Sequence, residues 1–175
     1  SFLSLWESVL TVYALARSFG MAPKSILTKC SGFVPLAHRS QWVDDIKGVA
    51  FINDSKATNV DATIHALKTF KNVHLILGGL AKEDNFSQLK DSMKNISRIY
   101  LIGEAAALIA SKFEGQEIEQ FDTLNDAFDS AISIATQGDT ILFSPACASF
   151  DQYLNFEERG KHFISLVNEY RKNII

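Results

Sequence analysis

From Gly48 onward the chain alternates short apolar runs with helical patterns, and few architectures accommodate that rhythm. The runs GVAFIN, NVHLIL, RIYLIG, EIEQF and DTILFS read as strands. Apolar residues at helical spacing cover Asn59 to Phe70, Phe86 to Met93, Ala105 to Phe113, Leu124 to Thr136 and Asn155 to Lys172. Strand and helix alternating at these distances predict an α/β fold: a Rossmann-like, mostly parallel sheet flanked by helices on both faces. With 175 residues, 47% of them hydrophobic, the chain can build such a core without disulfide or metal staples.

The first residues follow another pattern. Leu5 to Phe19 carry helical spacing that Gly20 stops, and a short second helix fits Pro23 to Thr28. The stretch CSGFVPLAHRSQWV then places Gly32 and Pro35 where regular structure breaks, and a domain boundary is expected near Val34 to His38. Residues 1–36 thus read as a short helical remnant of another domain, and residues 37–175 as the Rossmann-like domain. Ser1 enters the first helix directly, as in a piece of a longer protein.

Composition removes several functions. A formal net charge of −3, from 17 basic and 20 acidic residues, argues against nucleic acid or an anionic membrane surface as partner. Cys30 and Cys147 lie far apart without CxxC spacing, so neither a disulfide framework nor zinc is expected, in keeping with a reducing compartment. No apolar run reaches about 18 residues, the length for a membrane span. The opening SFLSLWESVL lacks the basic start and cleavage site of a signal peptide.

In open sheets of this class ligands sit beyond the carboxyl ends of the strands, and three strands end conspicuously. The first is followed by NDSKATN. Asn59 can cap the next helix, and Asp54 or Ser55 can accept a backbone N–H in the turn. That leaves Lys56 and Thr58 unexplained, and a lysine beside a helix N-terminus suits an anion better than the helix. The second ending is GGLAKEDNF, in which Gly78 and Gly79 allow a sharp turn or close backbone approach and Lys82 sits in the loop. On its own this is also a simple turn with a solvated lysine. The spacing is not that of a P-loop, GxxxxGK[ST], which occurs nowhere in the sequence. The third is SPACASFDQYLNFEERGKHF, where Ser144, Ala146, Cys147, Ala148 and Ser149 leave backbone N–H groups free to face a ligand. Cys147 fits a small buried hydrophobe better than a nucleophile. Two lysines, hydroxyls and backbone donors at three strand ends together read as a site for a carboxylate or phosphate.

INDSKATNVDAT, LGGLAKEDNF and SPACASFDQYLNFEERGKHF, in that order, resemble the C-terminal domain of the Mur ligase family, and LAHRSQW resembles the entry to that domain. Within the family DSKATN is similar to the members that add D-glutamate to UDP-N-acetylmuramoyl-L-alanine in peptidoglycan synthesis; other Mur ligases and folylpolyglutamate synthetases usually carry an Asp-Tyr-Ala-His type motif there. The resemblance implies an ATP-dependent, ADP-forming amide ligase of the bacterial cytoplasm, monomeric, acting through an acyl phosphate. ATP and Mg²⁺ would be held mainly by a central domain and the uridine nucleotide by an N-terminal one. It further implies that Arg39 reaches the ATP phosphates and Asp54 the ribose side. Lys56 also matches the motif, on the ATP side. Thr58, Lys82, Ser149 and the backbone at Phe150 would hold the carboxylates of D-glutamate, with Phe156 as a wall. No catalytic residue or metal ligand is expected in this stretch, which alone should not ligate. Two departures stand out. Ser4, Leu5 and Ser8 occupy positions where the family usually has a His-Asn pair and a further Asn toward adenine, and no glycine follows Lys82 directly. The alternatives are a related ligase such as a folylpolyglutamate synthetase, or a free-standing Rossmann-like module that binds a nucleotide or acidic metabolite.

Overall fold

The computed structural model describes residues 2–31, 36–113 and 115–174, with side chains described from residue 9 onward. Ser4, Leu5, Ser8 and the opening tryptophan therefore lie outside the described side chains. The chain forms two compact units, residues 1–36 and 37–175.

The first unit contains helices α1 (Phe2–Ser18) and α2 (Pro23–Cys30). Pro23 stands in the first turn of α2, where its missing N–H costs nothing. Leu10, Val12, Leu15 and Phe19 are exposed, so much of the apolar character of α1 faces solvent.

The second unit is built on six strands: β1 (Gln41–Ile46), β2 (Val49–Asn53), β3 (Val73–Gly78), β4 (Ile96–Ile102), β5 (Ile118–Phe121) and β6 (Thr140–Phe143). They lie in the order β1-β2-β6-β3-β4-β5. All pairs are parallel except β1 with β2. Every residue of β3 and β6 is buried, as expected of strands covered on both faces.

The two faces are read directly from alternation along the strands. Ile52, Leu75, Leu77, Leu101 and Leu142 face one core, closed by α3 (Val60–Leu67), a 3-10 segment Phe86–Asn95, and α4 (Ala106–Ala110). Phe51, Ile76, Tyr100, Ile102, Ile141 and Phe143 face the other, closed by α5 (Leu124–Ile134) and α6 (Phe156–Ile174). In the second core Phe143 stacks on Phe163 at 5.1 Å between ring centroids.

Two elements differ from the sequence reading. The first strand, β1, is an antiparallel hairpin partner of β2, turning through Lys47 and Gly48, both at positive φ. Its apolar alternation is broken by Asp44 and Asp45 and by a register shift between Trp42 and Asp44. These are devices of an edge strand, which must discourage further pairing. The second is Phe86–Asn95, whose turns are 3-10 rather than α-helical. Its buried residues Phe86, Leu89 and Ser92 recur every third position, which is the period of that helix.

Candidate functional site

The three polar stretches emerge from β2, β6 and β3, which are consecutive neighbours in the sheet. Beyond the parallel strands β3 and β6, an isolated antiparallel bridge joins the two following segments, with Leu80 N–H donating to the Ala148 carbonyl and Ala148 N–H to the Leu80 carbonyl, both 2.9 Å. Residues 53–59, 78–82 and 144–150 thus share one edge of the domain.

After β2, Asn53 is fully buried. Its Nδ2 donates to His38 Nδ1 at 2.9 Å and to the Gly160 carbonyl at 3.2 Å, and its Oδ1 accepts from Ser55 N–H at 3.1 Å. His38, which the sequence did not single out, is buried by this arrangement, and burial lowers its pKa, with Lys161 adding to the fall and Glu157 opposing it. Its carbonyl accepts from Lys56 N–H at 2.9 Å. Lys56 itself is exposed, with Nζ 4.1 Å from the centre of the Phe156 ring. A cation over an aromatic face stays available to an anion on its other side. Thr58 is half-buried, and Asn59 caps α3 by accepting from Ala62 N–H at 2.9 Å.

Asp54 is turned inward. It is 4% exposed, with Oδ1 accepting from Ser40 N–H at 2.8 Å and Oδ2 from Ser144 Oγ at 2.7 Å. Ser144 Oγ also contacts Thr63 Oγ1 at 3.0 Å. The carboxylate therefore ties the residue after Arg39 to the end of β6. Burial pushes the Asp54 carboxyl above the usual range, while Ser144, Ser40 and Arg39 oppose the shift. The folded chain holds this proton to higher pH than the unfolded chain does. The group's contribution to stability is thus greatest at acid pH and is lost as pH rises from about 4 through the folded value. Asp54→Asn keeps an acceptor for Ser40 and turns a donor toward Ser144, which can accept. The variant is expected within about 1.5 kcal/mol of the parent chain. The stability difference, parent minus variant, should decrease as pH rises from about 4. Unfolding midpoints across pH 4 to 8 check this, and a difference that grows with pH contradicts it.

After β3, Glu83, Asp84 and Asn85 are engaged with one another or with Lys112, whose Nζ lies 2.6 Å from Asp84 Oδ2. Lys82 is exposed and makes no ion pair or hydrogen bond among the described residues. After β6, Ser149 is buried, while the Phe150 ring is 68% exposed. The backbone N–H groups of both have no acceptor among the described residues. Phe156 is half-buried, its ring edge-on to His38 at 6.4 Å. Cys147 is fully buried and burial pushes its thiol up to about 12, which removes it as a nucleophile. Arg39 is exposed beside this edge. The arrangement brings three cations, two free backbone donors and a threonine to one end of the sheet, which suits a carboxylate-rich or phosphorylated ligand.

A shallow open cleft lies beside them, at the ends of β4 and β5, lined by Glu104, Asp122, Asp151, Gln120 and Gln152 among others. Its charged groups are all carboxylates, so it does not suit an anion. Among the described residues no group of three or more His, Cys, Asp or Glu side chains could hold a metal ion. No helix there is long and apolar enough to cross a membrane.

The glutamate ligase domain of Mur ligases matches residues 38–147. The chain belongs to the Mur ligase family. It is 43% identical over 164 residues to the UDP-N-acetylmuramoylalanine–D-glutamate ligase of Dinoroseobacter shibae, covering 94% of this chain and 35% of that protein. The same ligase of Koribacter versatilis is 42% identical over 165 residues, covering 93% and 36%. This Mur ligase chain thus spans about 35% of the length of such curated relatives. Among solved structures, the UDP-N-acetylmuramate–alanine ligase MurC of Thermotoga maritima superposes with a TM-score of 0.67 at 16% identity, over 94% of this chain and 37% of the other. The FolC protein of E. coli in complex with ADP gives 0.63 at 18%, over 94% and 39%. At those identities the likeness is one of fold.

Proposed function

We propose that this chain is the D-glutamate-binding, C-terminal part of an ATP-dependent ligase that joins D-glutamate to UDP-N-acetylmuramoyl-L-alanine in the bacterial cytoplasm. The observation that carries this reading is the placement of Thr58, Lys82 and Ser149 just after the adjoining strands β2, β3 and β6, in a chain 43% identical over 164 residues to a ligase of that name. Residues 1–36 are read as the last helices of the central ATPase domain, and the exposed apolar residues of α1 as surface that domain covers.

In the proposed reaction the γ-phosphoryl group of ATP moves to the L-alanine carboxylate, giving an acyl phosphate and ADP. The D-glutamate amine attacks the carbonyl carbon, an amide forms and phosphate leaves. Such chemistry depends mainly on positioning and on neutralising phosphate charge. Thr58, Lys82, Ser149 and the Phe150 backbone hold the D-glutamate carboxylates, with Phe156 as a wall. Arg39 and, less directly, Lys56 face ATP. Asp54, with both oxygens occupied, serves the ATP side by fixing Ser40 and so Arg39. Mg²⁺ and most ATP contacts belong to the rest of the parent protein.

The test is phosphate release by the full-length parent with ATP, Mg²⁺ and UDP-N-acetylmuramoyl-L-alanine, offered D-glutamate, L-glutamate or a diamino acid. Release is expected with D-glutamate alone, and none from the 175-residue chain by itself. Release driven by another amino acid, or turnover by the short chain, contradicts the reading. A folylpolyglutamate synthetase would instead respond to L-glutamate with a folate.

A further inference from the structure

Among the described residues the largest fully buried side chain is a charged one. Arg159, in the first turns of α6, is 1% exposed. Its Nε donates to Ser55 Oγ at 3.1 Å, Nη1 to the Ala148 carbonyl at 3.1 Å, and Nη2 to the carbonyls of Ser55 at 2.9 Å and Cys147 at 3.1 Å. It pairs with no carboxylate among the described residues. Gly79 lies against it: a Cβ there would stand 3.2 Å from Nη1. The stretches after β2, β6 and β3 therefore all meet on one hidden guanidinium.

Burying a cation without an anionic partner costs several kcal/mol, and an apolar side chain of similar volume often stabilises a fold as well or better. Stability alone is thus a poor reason for arginine here. The bonds themselves point outward. The Ala148 carbonyl belongs to the same peptide unit as the Ser149 N–H, which has no acceptor in the domain. A cation on one end of a peptide unit strengthens the donor at the other. The Ser55 carbonyl belongs to the peptide unit of Lys56 N–H, and Ser55 Oγ, which receives Arg159 Nε, donates to the Phe156 carbonyl at 2.8 Å. Lys56, Ser149 and Phe156 are each one group away from this guanidinium.

We propose that Arg159 is a positioning residue of the amino-acid site, setting Ser149 and Phe156 in register and placing an unpaired positive charge beneath the anion that site receives. This rests on the reading of that surface as the D-glutamate site. Burial lowers the Arg159 pKa to about 10, so the charge persists at neutral pH.

The experiment uses the full-length parent with Arg159→Met and Arg159→Lys, each checked for folding by circular dichroism and thermal unfolding. Met removes charge and fork; Lys keeps the charge and loses the fork. The D-glutamate KM is expected to rise about 30-fold in the Met variant and about 5-fold in the Lys variant. The ATP KM should stay within about 3-fold, because its phosphates are held chiefly elsewhere. A merely structural arginine would lower kcat and the unfolding midpoint while leaving the D-glutamate KM untouched. If the Met variant does not fold, the Lys variant decides. Folded variants with a D-glutamate KM within about 2-fold of the wild type overturn the inference and leave the D-glutamate reading standing. A wild-type parent that does not respond to D-glutamate overturns both.

Discussion

Gly79→Ala is expected to destabilise the domain by about 4 kcal/mol, among the largest effects of any single substitution in the chain. Gly79 has φ +130°, which L side chains rarely adopt. Its Cβ would lie 2.4 Å from the Ala148 carbonyl oxygen and 3.2 Å from Cys147 Cβ. The oxygen cannot retreat cheaply, since it accepts from both Leu80 N–H and Arg159 Nη1. Backbone strain of about 1–3 kcal/mol and overpacking of about 1–3 kcal/mol therefore add. Gly138→Ala supplies the comparison. Its φ is +96°, but nothing lies within 4 Å of the built Cβ. Only strain is left there, about 1–2 kcal/mol. Urea unfolding of the two variants against the parent chain checks the difference. A Gly79→Ala loss no greater than that of Gly138→Ala would show that the three strand ends are not locked together.

The parallel strands were legible because burial on both faces writes itself as continuous apolar runs, as in VHLILG and TILF. The edge strand was not, because Asp44, Asp45 and the bulge serve solvent and suppress further pairing instead of feeding a core. Lys56 and Thr58 stand out in the sequence as polar residues that neither caps nor turns account for, whereas Lys82 reads equally as a solvated lysine in a turn. Arg159 was hidden among Glu157, Glu158 and Lys161, which look like one solvated helix face. A signal existed: Arg159, Gly160, Phe163, Leu166 and Val167 form the buried stripe of α6, and a charge on an apolar stripe needs partners. Asp54 shows the opposite limit. The family resemblance implied a ligand contact for it, but only the folded structure shows Ser40 and Ser144 already on its two oxygens. His38 was unreadable for a similar reason, since its burial depends on Asn53 and on the bare Gly160 backbone more than a hundred residues away.

The central claim is that these strand ends bind D-glutamate, and Lys82 carries the sharpest test of it. Its neighbours Glu83, Asp84 and Asn85 are engaged, whereas Lys82 is exposed and unpaired among the described residues. Removing it should leave the fold intact, because a loop lysine in that position supports no core. A charge-assisted hydrogen bond to a carboxylate is worth roughly 1.5–3 kcal/mol, which corresponds to about 10- to 150-fold in affinity. A lysine that is only solvated would change everything measured by less than about 0.5 kcal/mol. The measurement is steady-state phosphate release by Lys82→Ala in the full-length parent, with D-glutamate and ATP varied separately. The account predicts a D-glutamate KM raised by about 10- to 150-fold with the ATP KM little changed. An unchanged D-glutamate KM and turnover, or a loss confined to ATP, would contradict it.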